Sequence, residues 1–122
     1  MRILVIDDEA EVGTTLTSVL RAAGFEAAYA ANGPEAVRAF ERNGADVVIV
    51  DMHMPGMDGL ELIARLKRKR AKTKILGISG GGPGGQGDLL KMSARLGAHA
   101  TLAKPFSNAA LIAKIKTLVP DA

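Results

Sequence analysis

The sequence predicts an α/β protein: a doubly wound, five-stranded parallel sheet with five helices in a three-layer sandwich. Three observations lead there. Short apolar runs alternate five times with stretches of helical period, which is the pattern of βαβ units. Most of those runs are apolar throughout rather than alternating, as strands covered on both faces must be. Glycines stand just past the helical stretches, at Gly24, Gly44 and Gly97, where a helix C-terminus calls for them. At 122 residues and 48% apolar composition the chain is one domain with one sizeable core.

RILVI (2–6) is the first strand, and residues 9–23 form a helix with Val12, Leu16, Val19, Leu20 and Ala23 on one face. EAAYA (26–30) is a weak second strand. The helix over 33–42 has Pro34 in its first turn, where the missing N–H does no harm. DVVIV (46–50) is the third strand, and the loop DMHMPGMDG (51–59) gives way near Asp58 to a helix carrying Leu60, Leu62, Ile63 and Leu66. KILGIS (74–79) is the fourth strand, followed by GGGPGGQG (80–87), six glycines in eight residues, and a fourth helix over 88–96. HATLA (99–103) is the fifth strand. Ser107 or Asn108 caps a last helix with Leu111, Ile112, Ile115 and Leu118 inward. Right-handed crossovers then place helices on both faces of the sheet.

Composition excludes several classes. With no cysteine, disulfides, thiolate metal sites and cysteine nucleophiles are ruled out. MRILVIDDEAEV turns acidic after six residues, so it is neither a signal peptide nor a membrane span, and a soluble cytoplasmic protein is expected. Phe25, Tyr29, Phe40 and Phe106 are too scattered for a base-stacking platform. The net charge of +3 conceals a polarity: residues 1–62 carry eleven acids against four Lys/Arg, and residues 63–122 carry two against twelve. The acidic half suits a cation, the basic half an acidic partner or phosphate.

Periodicity leaves the strand order open. In the flavodoxin-like order 2-1-3-4-5, the ligand crevice lies beyond the carboxyl ends of strands one and three. Asp7, Asp8 and Glu9 follow strand one, Asp51 follows strand three, Ser79 ends strand four, and Lys104-Pro105 follows strand five. If strands one and three are neighbours, carboxylates converge and repel unless a hard cation joins them. Mg²⁺ fits, since it takes a few carboxylates and keeps water and phosphate oxygens as its other ligands. A lysine and a hydroxyl opposite it would grip a phosphoryl group, a set suited to phosphoryl transfer.

These residues resemble the receiver domain of bacterial two-component response regulators, through VIDDE (5–9), DMHMPGMDG (51–59), GIS (77–79) and KPF (104–106), in order along all 122 residues. The resemblance implies that Asp51 accepts a phosphoryl group from a phosphohistidine of a sensor histidine kinase or histidine phosphotransfer protein. It further implies Mg²⁺ held by Asp7, Asp8, Asp51 and the backbone carbonyl of His53, with Ser79 as the switch hydroxyl. Lys104 is then the phosphate-pairing lysine, before a cis Pro105. Two features depart from the family: Thr101 stands where an aromatic switch residue is usual, and GGGPGGQG replaces ordinary helix-starting sequence.

Plainer readings stand beside this one. Asp8 or Glu9 can cap the first helix, and Asp51 can be a turn residue. The His53 imidazole faces solvent and is no zinc ligand, since His99 lies on another strand. RLKRKRAKTK (65–74) has seven Lys/Arg in ten residues but no aromatic companion, so a solvated helix end is preferred to a nucleic-acid site. GPGGQG (82–87) matches a dinucleotide fingerprint only formally, being after the wrong strand. An aspartyl-phosphate phosphatase of the haloacid-dehalogenase type would want D-x-D on strand one, and a degenerate receiver acting by contact alone would not keep Asp51, Ser79 and Lys104. A downstream protein partner is expected on the face of the fourth helix, fifth strand and last helix, through Lys91, Arg95, Lys114 and Lys116. A stand-alone relay is expected, because the fold begins at Met1 and ends just past the last helix.

Overall fold

The computed structural model describes residues 1–52, 59–80 and 98–120. In order, these form β1 (Arg2–Ile6), α1 (Ala10–Ala22), β2 (Glu26–Ala30), α2 (Gly33–Asn43), β3 (Val47–Asp51), α3 (Gly59–Lys69), β4 (Lys74–Gly80), β5 (Ala100–Lys104) and α4 (Asn108–Leu118). The helix expected over 88–96 lies outside the described residues. So do the glycine loop beyond Gly80 and most of the loop after Asp51.

The five strands make one parallel sheet in the order β2-β1-β3-β4-β5. Each pleat sends alternate side chains to opposite faces. Leu4, Ile6, Val48, Val50 and Ile75 pack with Phe40 of α2 and with Ile63 and Leu66 of α3. Ile3, Val5, Val47, Ile49, Leu76 and Ile78 pack on the other face with Leu16 and Leu20 of α1 and with Leu111 and Ile115 of α4. These are the two cores of a three-layer sandwich, and they explain why the strands read as continuous apolar runs.

The ends of the helices follow their sequence signals. The Asn32 side chain accepts the Glu35 N–H at 2.9 Å, and the Glu35 carboxylate accepts the Ala31 N–H at 3.0 Å, a reciprocal cap that starts α2. Ser107 caps α4 by accepting the Ala110 N–H at 3.0 Å. Gly24 and Gly44 have φ of 96° and 66°, a region that glycine enters without Cβ strain. The basic end of α3 is partly neutralised within the chain: Lys69 meets Glu41 at 2.5 Å, and Arg70 lies 3.7 Å from Asp46.

Some boundaries and buried faces differ from expectation. β3 and β5 begin and end one residue later, because Asp51 and Lys104 stay in register with Ile78 and Gly80 and so belong to the ladder. In α1 the buried face includes Gly13 and Thr17, whose hydroxyl donates to the Gly13 carbonyl at 2.7 Å, while Val19 is half-buried and Ala23 exposed at the C-cap. Neither Asp8 nor Glu9 caps α1 with its side chain; Glu9 occupies the N-cap, and its own N–H is taken by Asp7 Oδ1.

His99 extends the β4–β5 seam. Its N–H donates to the Ile75 carbonyl at 2.8 Å, and its Nδ1 accepts the Ile75 N–H at 3.1 Å. The proton of the neutral ring therefore sits on Nε2, which lies 3.3 Å from Lys67 Nζ. Partial desolvation and the charges of Lys67 and Lys74 hold the imidazole below its ordinary pKa. A depressed histidine pKa contributes stability that is complete above the unfolded value of about 6.5 and is lost as pH falls through the folded value. Chemical denaturation should thus show a midpoint that drops between pH 7.5 and pH 5.5 more steeply in the wild type than in His99→Gln. Equal slopes would remove His99 from the seam's stability.

Candidate functional site

Because β1 and β3 are parallel neighbours in register, with Ile6 beside Val50, the residues that end them emerge side by side at the carboxyl edge. Asp7 and Asp51 are 1% and 4% exposed, while Asp8, one residue on, faces solvent. One carboxylate oxygen from each of the three lies within 4.8 Å of the others. β5 delivers Lys104 to the same edge, with Nζ 3.2 Å from Asp51 Oδ2 and 3.6 Å from Asp7 Oδ2. The Lys104-Pro105 bond is cis, as the resemblance implies. Ser79 of β4 lies between the Asp51 and Lys104 strands and is 1% exposed. Among the described residues its Oγ has no hydrogen-bond partner.

Asp7 is held at all four of its polar positions. Its N–H donates to the Ala30 carbonyl at 3.3 Å, its carbonyl accepts the Tyr29 hydroxyl at 2.6 Å, Oδ1 accepts the Glu9 N–H at 2.9 Å, and Oδ2 faces Lys104. Burial pushes the Asp7 carboxyl above its ordinary pKa, and the Asp51 and Asp8 charges add to this; the Glu9 N–H and Lys104 oppose it. Lys104 moves up as well: burial pulls it down, but Asp51 and Asp7 together outweigh that.

Three carboxylates thus face one ammonium in a partly desolvated edge. An all-oxygen donor set of this kind suits a hard dication such as Mg²⁺, and the orphaned Ser79 hydroxyl suits an added oxyanion. The structure brings together Asp7, Asp8, Asp51 and Lys104, with Ser79 on the adjoining strand; His53 lies outside the described residues. Thr101 of β5, where an aromatic was noted as missing, is half-buried across from Gly77. Sequence reasoning missed Tyr29 as a partner of Asp7. The available signal was Gly13, a glycine in mid-helix that costs about 1 kcal/mol relative to alanine unless something needs the space.

Residues 3–116 match the response regulator receiver domain, and the chain belongs to that family of two-component proteins. Among its relatives are the sensory transduction protein RegX3 of Mycolicibacterium smegmatis, 34% identical over 96% of this chain and 50% of the relative, and the sporulation initiation phosphotransferase F of Bacillus subtilis, 30% identical over 98% of this chain and 94% of the relative. The chain spans about half the length of the mycobacterial relatives it matches. Similar solved structures include the receiver domain of NtrX from Brucella abortus, with a TM-score of 0.89, 26% identity and coverage of 98% and 99% of the two chains. A response regulator receiver domain protein from Clostridium thermocellum has a TM-score of 0.88 at 29% identity, covering 98% and 94%. The flavodoxin-like sheet is thus shared with known receivers.

Asp7→Asn keeps an acceptor for the Glu9 N–H and removes one of the crowded charges. It should raise the metal-free melting stability by on the order of 1 kcal/mol and reduce the further gain on adding Mg²⁺. A metal-free variant less stable than wild type would show that repulsion at this edge is not the governing term.

Proposed function

We propose that residues 1–122 form a single receiver domain that accepts a phosphoryl group on Asp51 from a phosphohistidine of a sensor histidine kinase or histidine phosphotransfer protein. The observation that carries the reading is the Asp7–Asp8–Asp51 cluster with the Lys104 ammonium against Asp51. An Asp51 carboxylate oxygen attacks phosphorus, the bond from phosphorus to the histidine nitrogen breaks, and the imidazole leaves with the electron pair. Asp7, Asp8, Asp51 and the His53 carbonyl would hold Mg²⁺, which when bound supplies neutralisation of phosphoryl charge. Lys104 is positioned to exchange its Asp51 contact for a phosphoryl oxygen. The Ser79 hydroxyl, buried and unpartnered among the described residues, is a donor for another.

On this reading the chain assists its own phosphorylation and turns over no separate substrate. Its relative being named a phosphotransferase supports the transfer role. Switching then runs through Ser79 and the glycine loop over 80–87, since Thr101 carries no aromatic ring; the loop beyond Gly80 lies outside the described residues. The downstream partner is an acidic protein surface meeting β5 and α4, with Lys114 and Lys116 on α4 as contacts; Lys91 and Arg95 lie outside the described residues. No helix among the described residues is long and apolar enough to cross a membrane.

With Mg²⁺ and acetyl phosphate, intact-mass analysis should show one added phosphoryl group on the wild type and none on Asp51→Asn. Lys104→Ala should accept the group and fail to change its partner binding, because the ammonium links the phosphoryl group to β5. Phosphate mapped to Ser79 or His53 would overturn the mechanism.

A further inference from the structure

We propose that Tyr29 is a positioning residue for the cation site: its hydroxyl sets the direction in which Asp8 presents its carboxylate. The inference rests on the Mg²⁺ reading above. The carbonyl that Tyr29 donates to, at 2.6 Å, belongs to the peptide joining Asp7 to Asp8. A peptide is planar, so fixing its oxygen fixes the plane from which Asp8 departs. Of the three clustered carboxylates Asp8 alone is exposed, and among the described residues its side chain makes no hydrogen bond or ion pair. Its geometry must come from the backbone on either side.

That backbone is held from β2. Ala30 accepts the Asp7 N–H and Tyr29 donates to the Asp7 carbonyl, so consecutive residues of the edge strand grip both main-chain groups of Asp7. From the helix side the hold is weaker, since Glu9 at the N-cap makes no side-chain capping bond. Groups one step beyond the ligands commonly orient them and govern affinity in this way.

A second observation concerns the helix beneath. The Tyr29 ring passes over α1 at Gly13, and a Cβ at position 13 would overlap the ring. Gly13 is N-terminally anchored by its own N–H to the Glu9 carbonyl at 2.9 Å, so it does not swing aside as a loop residue would. The glycine in mid-helix is the space through which the tyrosine reaches Asp7. The hydroxyl stays a donor, since burial and the nearby Asp7, Glu35 and Asp8 charges hold it above its ordinary pKa.

The test is calorimetric titration of the metal-free full chain with Mg²⁺, in the wild type, Tyr29→Phe, Gly13→Ala and the double variant. Tyr29→Phe keeps the ring and its packing, and should weaken the Mg²⁺ dissociation constant about tenfold. Gly13→Ala should weaken it by displacing the ring, and the double variant should bind no more weakly than the weaker-binding single variant, because both act on one contact. Melting in the presence and absence of Mg²⁺ separates positioning from bulk stability: a merely structural hydroxyl lowers both melts equally, whereas a positioning one shrinks the gap between them. Should Gly13→Ala fail to fold, Tyr29→Phe decides alone. A Tyr29→Phe dissociation constant within twofold of wild type overturns this inference and leaves the site reading intact. A wild type that takes up no Mg²⁺ overturns the site reading and this inference together.

Discussion

Two nearly buried carboxylates, Asp7 and Asp51, end adjacent parallel strands, and parallel strands in register cannot avoid placing such residues side by side. A third carboxylate, Asp8, lies within 4.8 Å, and among the described residues the Lys104 ammonium reaches both buried ones. Burial pushes the Asp7 carboxyl upward, and the like charges of Asp51 and Asp8 add to that push. The rest of the molecule arranges itself around that tension. β5 must end where Lys104 can reach across β4 to β3, and β2 must hold the Asp7 main chain while its carboxylate is repelled. Two apolar cores, one on each sheet face, supply the rigidity that keeps the four charges at fixed distances.

Asp7, Asp8 and Asp51 gather at the carboxyl edge of the sheet, whereas Lys67, Lys69 and Arg70 lie at the C-terminal end of α3, beside the amino end of β4. Several of these cations already have partners: Lys69 has Glu41, Arg70 has Asp46, and Lys67 donates to the Ala71 carbonyl at 2.9 Å. The run RLKRKRAKTK is therefore largely a helix end stabilised by its dipole and by internal pairs, as its composition without aromatics indicates. Such exposed pairs each contribute little, at most about 1 kcal/mol.

The βα alternation was legible because a parallel strand covered on both faces must be apolar throughout, and all five strands were located to within one residue. Strand order was not, since hydrophobic periodicity carries no information on which strands pair; 2-1-3-4-5 entered only as the order of the flavodoxin-like fold. The slips at β3 and β5 have one origin. Asp51 and Lys104 read as polar loop residues, yet their backbones remain in the ladder while their side chains serve the edge. Thr17 was invisible for a related reason: it is buried because its hydroxyl returns to the Gly13 carbonyl, a local bond that hides a polar group in an apolar face. The placement of Asp7, Asp8, Asp51, Ser79 and Lys104 at strand ends was legible in the sequence; that β1 and β3 bring Asp7, Asp8 and Asp51 together was not, because it depends on the strand order. The reach of Tyr29 to the Asp7 carbonyl, twenty-two positions away, was not legible either, because it depends on the ring crossing α1 at Gly13.

A cation at the Asp7–Asp8–Asp51 edge would relieve the repulsion there. The most direct measurement is the unfolding free energy of the wild type and Asp8→Ala as Mg²⁺ is raised. The wild type should gain about 1.4 kcal/mol at tenfold excess over its dissociation constant. Asp8→Ala should stay nearly flat over the same range, and an Asp8→Ala response equal to that of the wild type would contradict the account.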